Sequence, residues 1–360
     1  MSKQSLQEYI NSIQQSYETA RGIHGKRFSK EAEDFDRSEK EAQQPTLSAQ
    51  RNLPSIMHKD MNRELEVSFI SQKHLGNGSF GDVDEVQELT TGAIYARKHI
   101  HLDKEKPAEV IKEEVKNEVA IMQKLRHRHI ASVLFYVKKA DSYSIFMLPV
   151  ADWDLRKYFD HCEEKEFEEN LIKCINPWFG CLLDALAYAH KEEIKHQDIK
   201  PSNVLIKNNQ PYLSDFGLAK SFEGMGDSSS QVVKRHGTPV YFAPEVVMGK
   251  KRGRSADIFS LGCVFTEMFT VTQKKSTKDY YKERNKGREP SKGSNQIHFR
   301  DCLPTVKTWM EQFGESRSTK SLLRAIKDMI EEDPLERPKA HFILKGLKGQ
   351  RQFFCVESDV

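Results

Sequence analysis

The spacing of apolar positions changes along the chain. From Glu66 onward, Val67–Phe69, Val83–Val86 and Ile94–Ala96 are short runs of β-branched and aromatic residues separated by Gly, Asn, Asp and Thr. That pattern predicts consecutive antiparallel strands. Val110, Val115, Val119, Met122 and Leu125 then share one helical face, which predicts a helix over 110–125. Two more strands are expected around Ile130–Tyr136 and Tyr143–Leu148. Beyond Trp153 the period is helical, with apolar residues at 171, 172, 175, 178, 179, 182, 183 and 186, and Ala256–Val271 is apolar nearly all round, as a buried central helix is. A sheet-rich part followed by a larger helical one is an α+β arrangement.

The first 60 residues follow a different pattern. Leu6, Tyr9, Ile10, Ile13 and Tyr17 have helical spacing, so a short amphipathic helix is expected there, packed on its own domain or docked to a partner. Residues 29–49 are charged and polar with little apolar period, the pattern of a solvated arm.

Composition narrows the class without choosing a function. The chain has 360 residues, and 56 Lys+Arg against 53 Asp+Glu leave +3, so nothing global points to nucleic acid. Met1–Ala20 is mostly polar, unlike a secretory signal. The most apolar stretch, Ile258–Val271, is interrupted by Glu267 and is shorter than the roughly 18–20 residues that span a bilayer. Cysteines 162, 174, 181, 263, 302 and 355 form no CxxC pair and read as reduced thiols. An intracellular protein, cytoplasmic or nuclear, with no membrane span is expected. The segment Gln273–Ser294 carries eight basic residues against Asp279, Glu283 and Glu289. It reads as a solvated, flexible insertion; docking to an acidic partner and nuclear targeting are its other readings.

Candidate chemistry begins at Leu75-Gly76-Asn77-Gly78-Ser79-Phe80-Gly81-Asp82-Val83. Glycines at 76, 78 and 81 let backbone amides approach a polyphosphate, because a Cβ would screen them. A dinucleotide fold would need a helix directly afterwards. Here Asp82–Leu89 reads as a returning strand, which favours a glycine-rich lid over nucleotide phosphates. Lys98, in the strand Tyr95-Ala96-Arg97-Lys98, could neutralise phosphate oxygens if an acid held it, and Glu118 on the following helix is the candidate acid.

The next cluster is His196-Gln197-Asp198-Ile199-Lys200-Pro201-Ser202-Asn203, then Asp215-Phe216-Gly217, Gly237-Thr238-Pro239 and Ala243-Pro244-Glu245. In order and separation these resemble the signatures of eukaryotic protein kinases of the serine/threonine type, over residues 66–348. The resemblance implies a bilobed protein-kinase fold, with a small antiparallel-sheet N-lobe with one helix (66–150) and a larger helical C-lobe (151–348) containing the insertion at 273–294. A polar arm (1–65) and a tail (349–360) would flank it. It implies ATP and Mg2+ as cofactors and protein substrates with Ser/Thr acceptors, bound by a monomeric catalytic domain.

It also implies site roles. Asp198 would orient the substrate hydroxyl and take its proton, Lys200 would contact the transferring phosphate, and Asn203 and Asp215 would hold magnesium. Lys98 paired with Glu118 would hold the α- and β-phosphates. Leu75, Val83, Ala96 and Leu205 would sandwich adenine beside Met147, the gatekeeper. Leu148–Val150 would be the hinge, and because Pro149 has no N–H, the donor there is Val150. Asp257 would tie the catalytic loop, Arg337 would pair with Glu245, and Met122, Val133, His196 and Phe216 would stack as a spine. Asp154, seven residues after Met147, stands where basophilic members place an acid, but the companion position four residues after Asp198 is Ser202. Leu148–Leu155 is similar to a subgroup seen in filamentous fungi.

Two departures stand out. Gln197 replaces the arginine that pairs with an activation-segment phosphate, and Lys234 occupies the usual phosphorylated position four residues before Thr238. An active kinase that does not depend on that phosphorylation is expected, with Ser228, Ser229 and Ser230 the nearby hydroxyls. The alternative readings are a pseudokinase or scaffold that binds nucleotide without efficient transfer, and a small-molecule phosphotransferase. Lys98, Asp198, Asn203 and Asp215 weigh against the first, and Thr238 and Glu245 against the second.

Overall fold

Five strands open the described chain: β1 (Phe69–Gly78), β2 (Gly81–Glu88), β3 (Ile94–His101), β4 (Ser132–Lys138) and β5 (Ser142–Leu148). They form one antiparallel sheet in the order β1-β2-β3-β5-β4, with helix α1 (Ala108–Lys124) between β3 and β4. The computed structural model describes residues 69–78, 81–101, 108–138, 142–216, 237–249, 252–289, 297–313 and 316–355. The arm at 1–65 with its expected helix, the tip residues Ser79 and Phe80, Gly217, Ser228–Ser230 and Lys234 lie outside them. The chain divides into two compact units between Ala151 and Asp152.

One face of the sheet carries an apolar cluster of Phe69, Val86, Tyr95, Leu134, Phe135, Phe146 and Leu148. Its centre is the stacked Phe135–Phe146 pair, with ring centroids 4.5 Å apart. The first strand runs well past the predicted Val67–Phe69. Residues 70–74 of β1 are exposed, and pairing with β2, interrupted by register shifts at Ser71/Lys73 and His74/Gly76, defines the strand. Shifts of that kind break the two-residue alternation that sequence reading relies on.

Gly81 has a packing role beyond the one expected of it. Its φ is +149°, and a Cβ there would lie 1.7 Å from the carbonyl oxygen of His99, so β2 and β3 can approach only with glycine at this position. Gly81→Ala is therefore expected to destabilise the fold by ~1–3 kcal/mol. Gly346→Ala, where a Cβ meets open space, should leave stability unchanged or slightly raised. Thermal melting of the two variants makes the comparison, and equal midpoints would refute the assignment.

The second unit has a small sheet of β6 (Trp153–Asp154), β7 (Val204–Lys207) and β8 (Gln210–Leu213) and eight helices among its described residues. These are α2 (Leu155–Glu164), α3 (Glu169–Lys191), α4 (Pro244–Val247), α5 (Arg254–Thr272), α6 (Thr277–Asn285), α7 (Leu303–Glu311), α8 (Arg317–Met329) and α9 (Ala340–Leu347). Every residue of α5 from Ala256 to Val271 is buried, as its predominantly apolar pattern requires, and the burial includes the interrupting Glu267. Among the described residues no helix is long and apolar enough to cross a membrane.

Two sequence expectations need correction here. The basic segment at 273–294 is not simply a solvated insertion: it contains α6, whose Thr277, Tyr280 and Arg284 are buried, and the Tyr280 hydroxyl lies 2.8 Å from Thr266 Oγ1 of α5. Its lysines are largely neutralised by local acids, Lys274 by Glu169 at 3.0 Å and Lys278 by Glu163 at 3.5 Å. The tail after 348 is also part of the unit through residue 355. Phe353 is buried against Phe179 of α3, and its carbonyl oxygen would lie 2.1 Å from a Cβ on Gly180. Short aromatic anchors of this kind carry no periodicity and so escape pattern reading.

Candidate active site

In the first unit, ladder register gathers several of the residues expected to face a nucleotide. Val83 pairs with both Gly76 and Lys98, and Ala96 pairs with Met147. Directly paired residues share a sheet face, so Gly76, Val83, Ala96, Lys98 and Met147 line one face, opposite the aromatic cluster. Leu75 falls at the register shift beside Gly76. Lys98 is 1% exposed, and a buried ammonium needs a counter-charge. Glu118 lies within α1, but its side chain, like those of Asn77 and Gly78, is outside what is described. Val150, the expected hinge donor, is buried.

In the second unit, the catalytic-loop residues converge on Asp198. Its Oδ1 accepts from the Thr238 amide at 2.9 Å and the Thr238 hydroxyl at 3.1 Å. Its Oδ2 accepts from Asn203 Nδ2 at 3.1 Å and pairs with Lys200 Nζ at 2.9 Å. Lys200 also donates to Thr238 Oγ1 at 2.9 Å. One carboxylate is thus fixed by an ammonium, an amide and a hydroxyl, leaving it little rotational freedom.

Asn203 donates its amide nitrogen to both the backbone oxygen and the carboxylate of Asp198, which leaves its amide oxygen as the atom available to a cation. The Asn203 carbonyl accepts from the backbone and hydroxyl of Ser214, both at 3.0 Å, which fixes the residue before Asp215. Asp215 adopts φ +60°. An amide oxygen and a carboxylate are hard donors that fit magnesium better than a softer metal. Leu205, expected at the adenine, lies in β7 opposite Asp154 and Tyr212.

Asp257 anchors the loop from below. Its carboxylate accepts from the His196 amide at 2.9 Å and the Gln197 amide at 2.8 Å, and pairs with His190 Nε2 at 3.0 Å. Burial alone would raise its pKa, but these donors and charges outweigh that and hold it below the ordinary aspartate value. Gln197 is held at φ +68°, a left-handed conformation that costs a side-chain-bearing residue of order 1 kcal/mol or more. Its Nε2 is buried without a hydrogen-bond partner among the described residues. Burial lowers the pKa of His196 against the pull of Asp257, Asp198 and Asp215, favouring a neutral ring, which packs against Phe216 at a 42° tilt with centroids 4.4 Å apart. Met122 and Val133, the other expected spine residues, are buried in the first unit.

Glu245 and Arg337 form the bidentate pair expected of them, Nη1 to Oε1 at 2.8 Å and Nη2 to Oε2 at 3.0 Å. Asp154, by contrast, is engaged locally: it caps α2 by accepting from the Lys157 amide at 3.0 Å and pairs with the Lys157 ammonium at 3.4 Å.

A family model described as the protein kinase domain matches residues 69–346. The chain belongs to the protein kinase family. Among curated proteins, this kinase is similar to cell division control protein 2 homolog 1 of Trypanosoma brucei brucei, 32% identical over 199 residues, which cover 54% of this chain and 62% of that one. It is 28% identical over 301 residues to mitogen-activated protein kinase kinase kinase A of Dictyostelium discoideum, covering 82% of this chain and 29% of the relative. MAP kinase kinase kinase wis4 of Schizosaccharomyces pombe is 32% identical over 204 residues, covering 54% and 14%. The kinase therefore spans less than two thirds of the length of these relatives.

Sequence reading missed a polar network at the base of the loop. Glu267 of α5 is buried and accepts from the Tyr241 hydroxyl at 2.9 Å and the Tyr281 hydroxyl at 2.8 Å, with Arg156 Nη2 at 3.5 Å. The signal was present, because a carboxylate that interrupts an apolar helix must find partners.

Proposed function

We propose that this chain is an ATP-dependent protein serine/threonine kinase that transfers the γ-phosphoryl group to hydroxyls of protein substrates. The observation that carries this reading is the fixed Asp198 carboxylate, held by Thr238, Asn203 and Lys200. Asp198 orients the acceptor hydroxyl and takes its proton as the oxygen attacks phosphorus. Lys200 then sits beside the transferring group, where it offsets developing negative charge. Lys98, held by Glu118, binds the α- and β-phosphates under the glycine-rich turn at 76–81. Within the first unit, Leu75, Val83 and Ala96 face the adenine, with the Val150 amide as donor past Met147. Asn203 and Asp215 hold magnesium, which when bound supplies charge neutralisation between the phosphates. Thr238 beside Lys200 supports the serine/threonine class.

The test is phosphoamino-acid analysis after incubation of a generic protein substrate with radiolabelled ATP, for wild type and Lys98→Met. Label on serine or threonine that disappears in the variant is expected. Nucleotide binding with no label in either protein would instead favour a scaffold.

The neutral, buried Gln197 also predicts how activity responds to phosphate removal. It has no charge with which to pair an activation-segment phosphate, and Lys234 offers no hydroxyl to receive one. Phosphatase treatment is expected to change the specific activity less than about twofold. A large loss, reversed by rephosphorylation between residues 217 and 236, would contradict it.

A further inference from the structure

Beside Lys200 and Thr238 lies a cavity of about 500 Å³, lined also by Arg156, Glu267, Tyr281 and Arg284. Among the described residues that line it, the one carboxylate is already occupied. Glu267 accepts two tyrosine hydroxyls and faces Arg156, so a cation entering the cavity would meet no free acid there.

Arg284 differs from the other cations in the wall. It is 5% exposed, its Nε donates to Asn285 Oδ1 at 2.9 Å, and one Nη donates to the Ile297 carbonyl at 3.2 Å. Its guanidinium lies 5.0 Å from the centroid of the Tyr281 ring and 4.4 Å from that of Phe299. All of these partners are neutral. Its Nη1 is buried and, among the described residues, has no hydrogen-bond partner and no carboxylate paired with it. A buried cation without a counter-charge is costly, and an incoming anion would relieve that cost.

We propose that this cavity receives an acidic side chain of the protein substrate, a carboxylate or a phosphorylated hydroxyl, with Arg284 as its principal donor. The proposal rests on the kinase reading for the identity of the substrate. Lys200 and Thr238 contact both the cavity and Asp198, so a peptide with its hydroxyl at Asp198 places the acidic residue within roughly three positions of the acceptor, at about 3.3 Å per residue. It also gives a part of the basic segment at 273–294 a specific task. Arg284 reads substrate charge, while neighbouring lysines are matched by local acids. Arg156 lies 3.5 Å from Glu267, so the cavity wall holds two arginines and Lys200 against one carboxylate among its described residues, a balance that favours an anionic side chain.

The test uses the full chain and a peptide series with one serine acceptor, placing aspartate, phosphoserine, alanine or arginine at each of the flanking positions. Phosphorylation gives kcat/KM, and fluorescence anisotropy of the same peptides with alanine at the acceptor gives binding without catalysis. At one position the acidic peptides should exceed alanine by about tenfold, one charge-assisted hydrogen bond's worth, and arginine by more. Phosphoserine above aspartate would mark a phosphorylated ligand, and equal values a carboxylate suffices. In Arg284→Gln the acid-to-alanine ratio should fall toward one, and in Arg284→Lys it should be partly kept. The wild-type series decides the matter even if a variant fails to fold. If no peptide is phosphorylated, the kinase reading fails while the binding series still tests the cavity. Equal affinity for acidic, neutral and basic peptides at every position, or a preference for arginine, would overturn the proposal.

Discussion

Replacing Asp198 by asparagine is expected to lower turnover by about 10²–10⁴, the usual contribution of a positioned proton acceptor. The substitution is nearly isosteric. The amide oxygen can still accept from the Thr238 amide, which holds Oδ1 at 2.9 Å, while the nitrogen that replaces Oδ2 can no longer accept from Asn203 or Lys200. What is lost is the basic carboxylate that faces the acceptor hydroxyl and the charge that pairs with Lys200 at 2.9 Å. Steady-state kinetics should show the loss in kcat, with KM for ATP close to wild type and a cooperative melting transition that confirms a folded variant. A variant that keeps more than about a tenth of wild-type turnover would remove Asp198 from the chemistry.

The second large effect concerns stability. All five donors of Arg337 are used: Nε to the Glu331 carbonyl at 2.6 Å, Nη1 to Glu245 and the Ser255 carbonyl, and Nη2 to Glu245 and the Glu332 carbonyl. The guanidinium also lies 4.9 Å from the Phe259 ring centroid of α5. Glu245 is 4% exposed. Arg337→Ala strands that carboxylate and three carbonyls in a buried site, so a loss of about 3–5 kcal/mol is expected, a melting shift on the order of 10 °C. Glu245→Ala strands the guanidinium instead and should cost a comparable amount. The double variant should cost clearly less than the two singles together, because the second substitution removes a charge already unpaired. Additive losses below about 1 kcal/mol each in denaturant unfolding would mean the pair is no more than a surface ion pair.

The contrast between what was readable in the sequence and what was not has a physical pattern. Helix α5 and the strand β5 were legible because nearly complete burial leaves them predominantly apolar over a length that fits a helix and a strand. The contacts of Asp257 with the His196 and Gln197 amides were expected from the order and separation of the motif residues, which resemble those of protein kinases. The packing role of Gly81 was hidden, since it depends on the position of the His99 carbonyl in a neighbouring strand. The same holds for Arg284. In sequence it is one of eight basic residues in a polar segment, and only the burial of Tyr280 and the turn of α6 set it apart. Asp154 illustrates the opposite error: its position suggested a role with substrate, while its carboxylate is committed to the first turn of α2. Capping and substrate contact draw on the same side-chain oxygens, and spacing alone does not choose between them.

The central claim is that the carboxylate of Asp198, held by Thr238, Asn203 and Lys200, drives phosphoryl transfer to a protein hydroxyl. Its most direct test is the rate of transfer from radiolabelled ATP to a protein substrate, measured side by side for wild type and Asp198→Asn with nucleotide affinity measured on both. Transfer by wild type, loss of it in the variant and equal nucleotide affinity are predicted. Equal transfer in the two proteins, or none in wild type with magnesium and ATP bound, would contradict it.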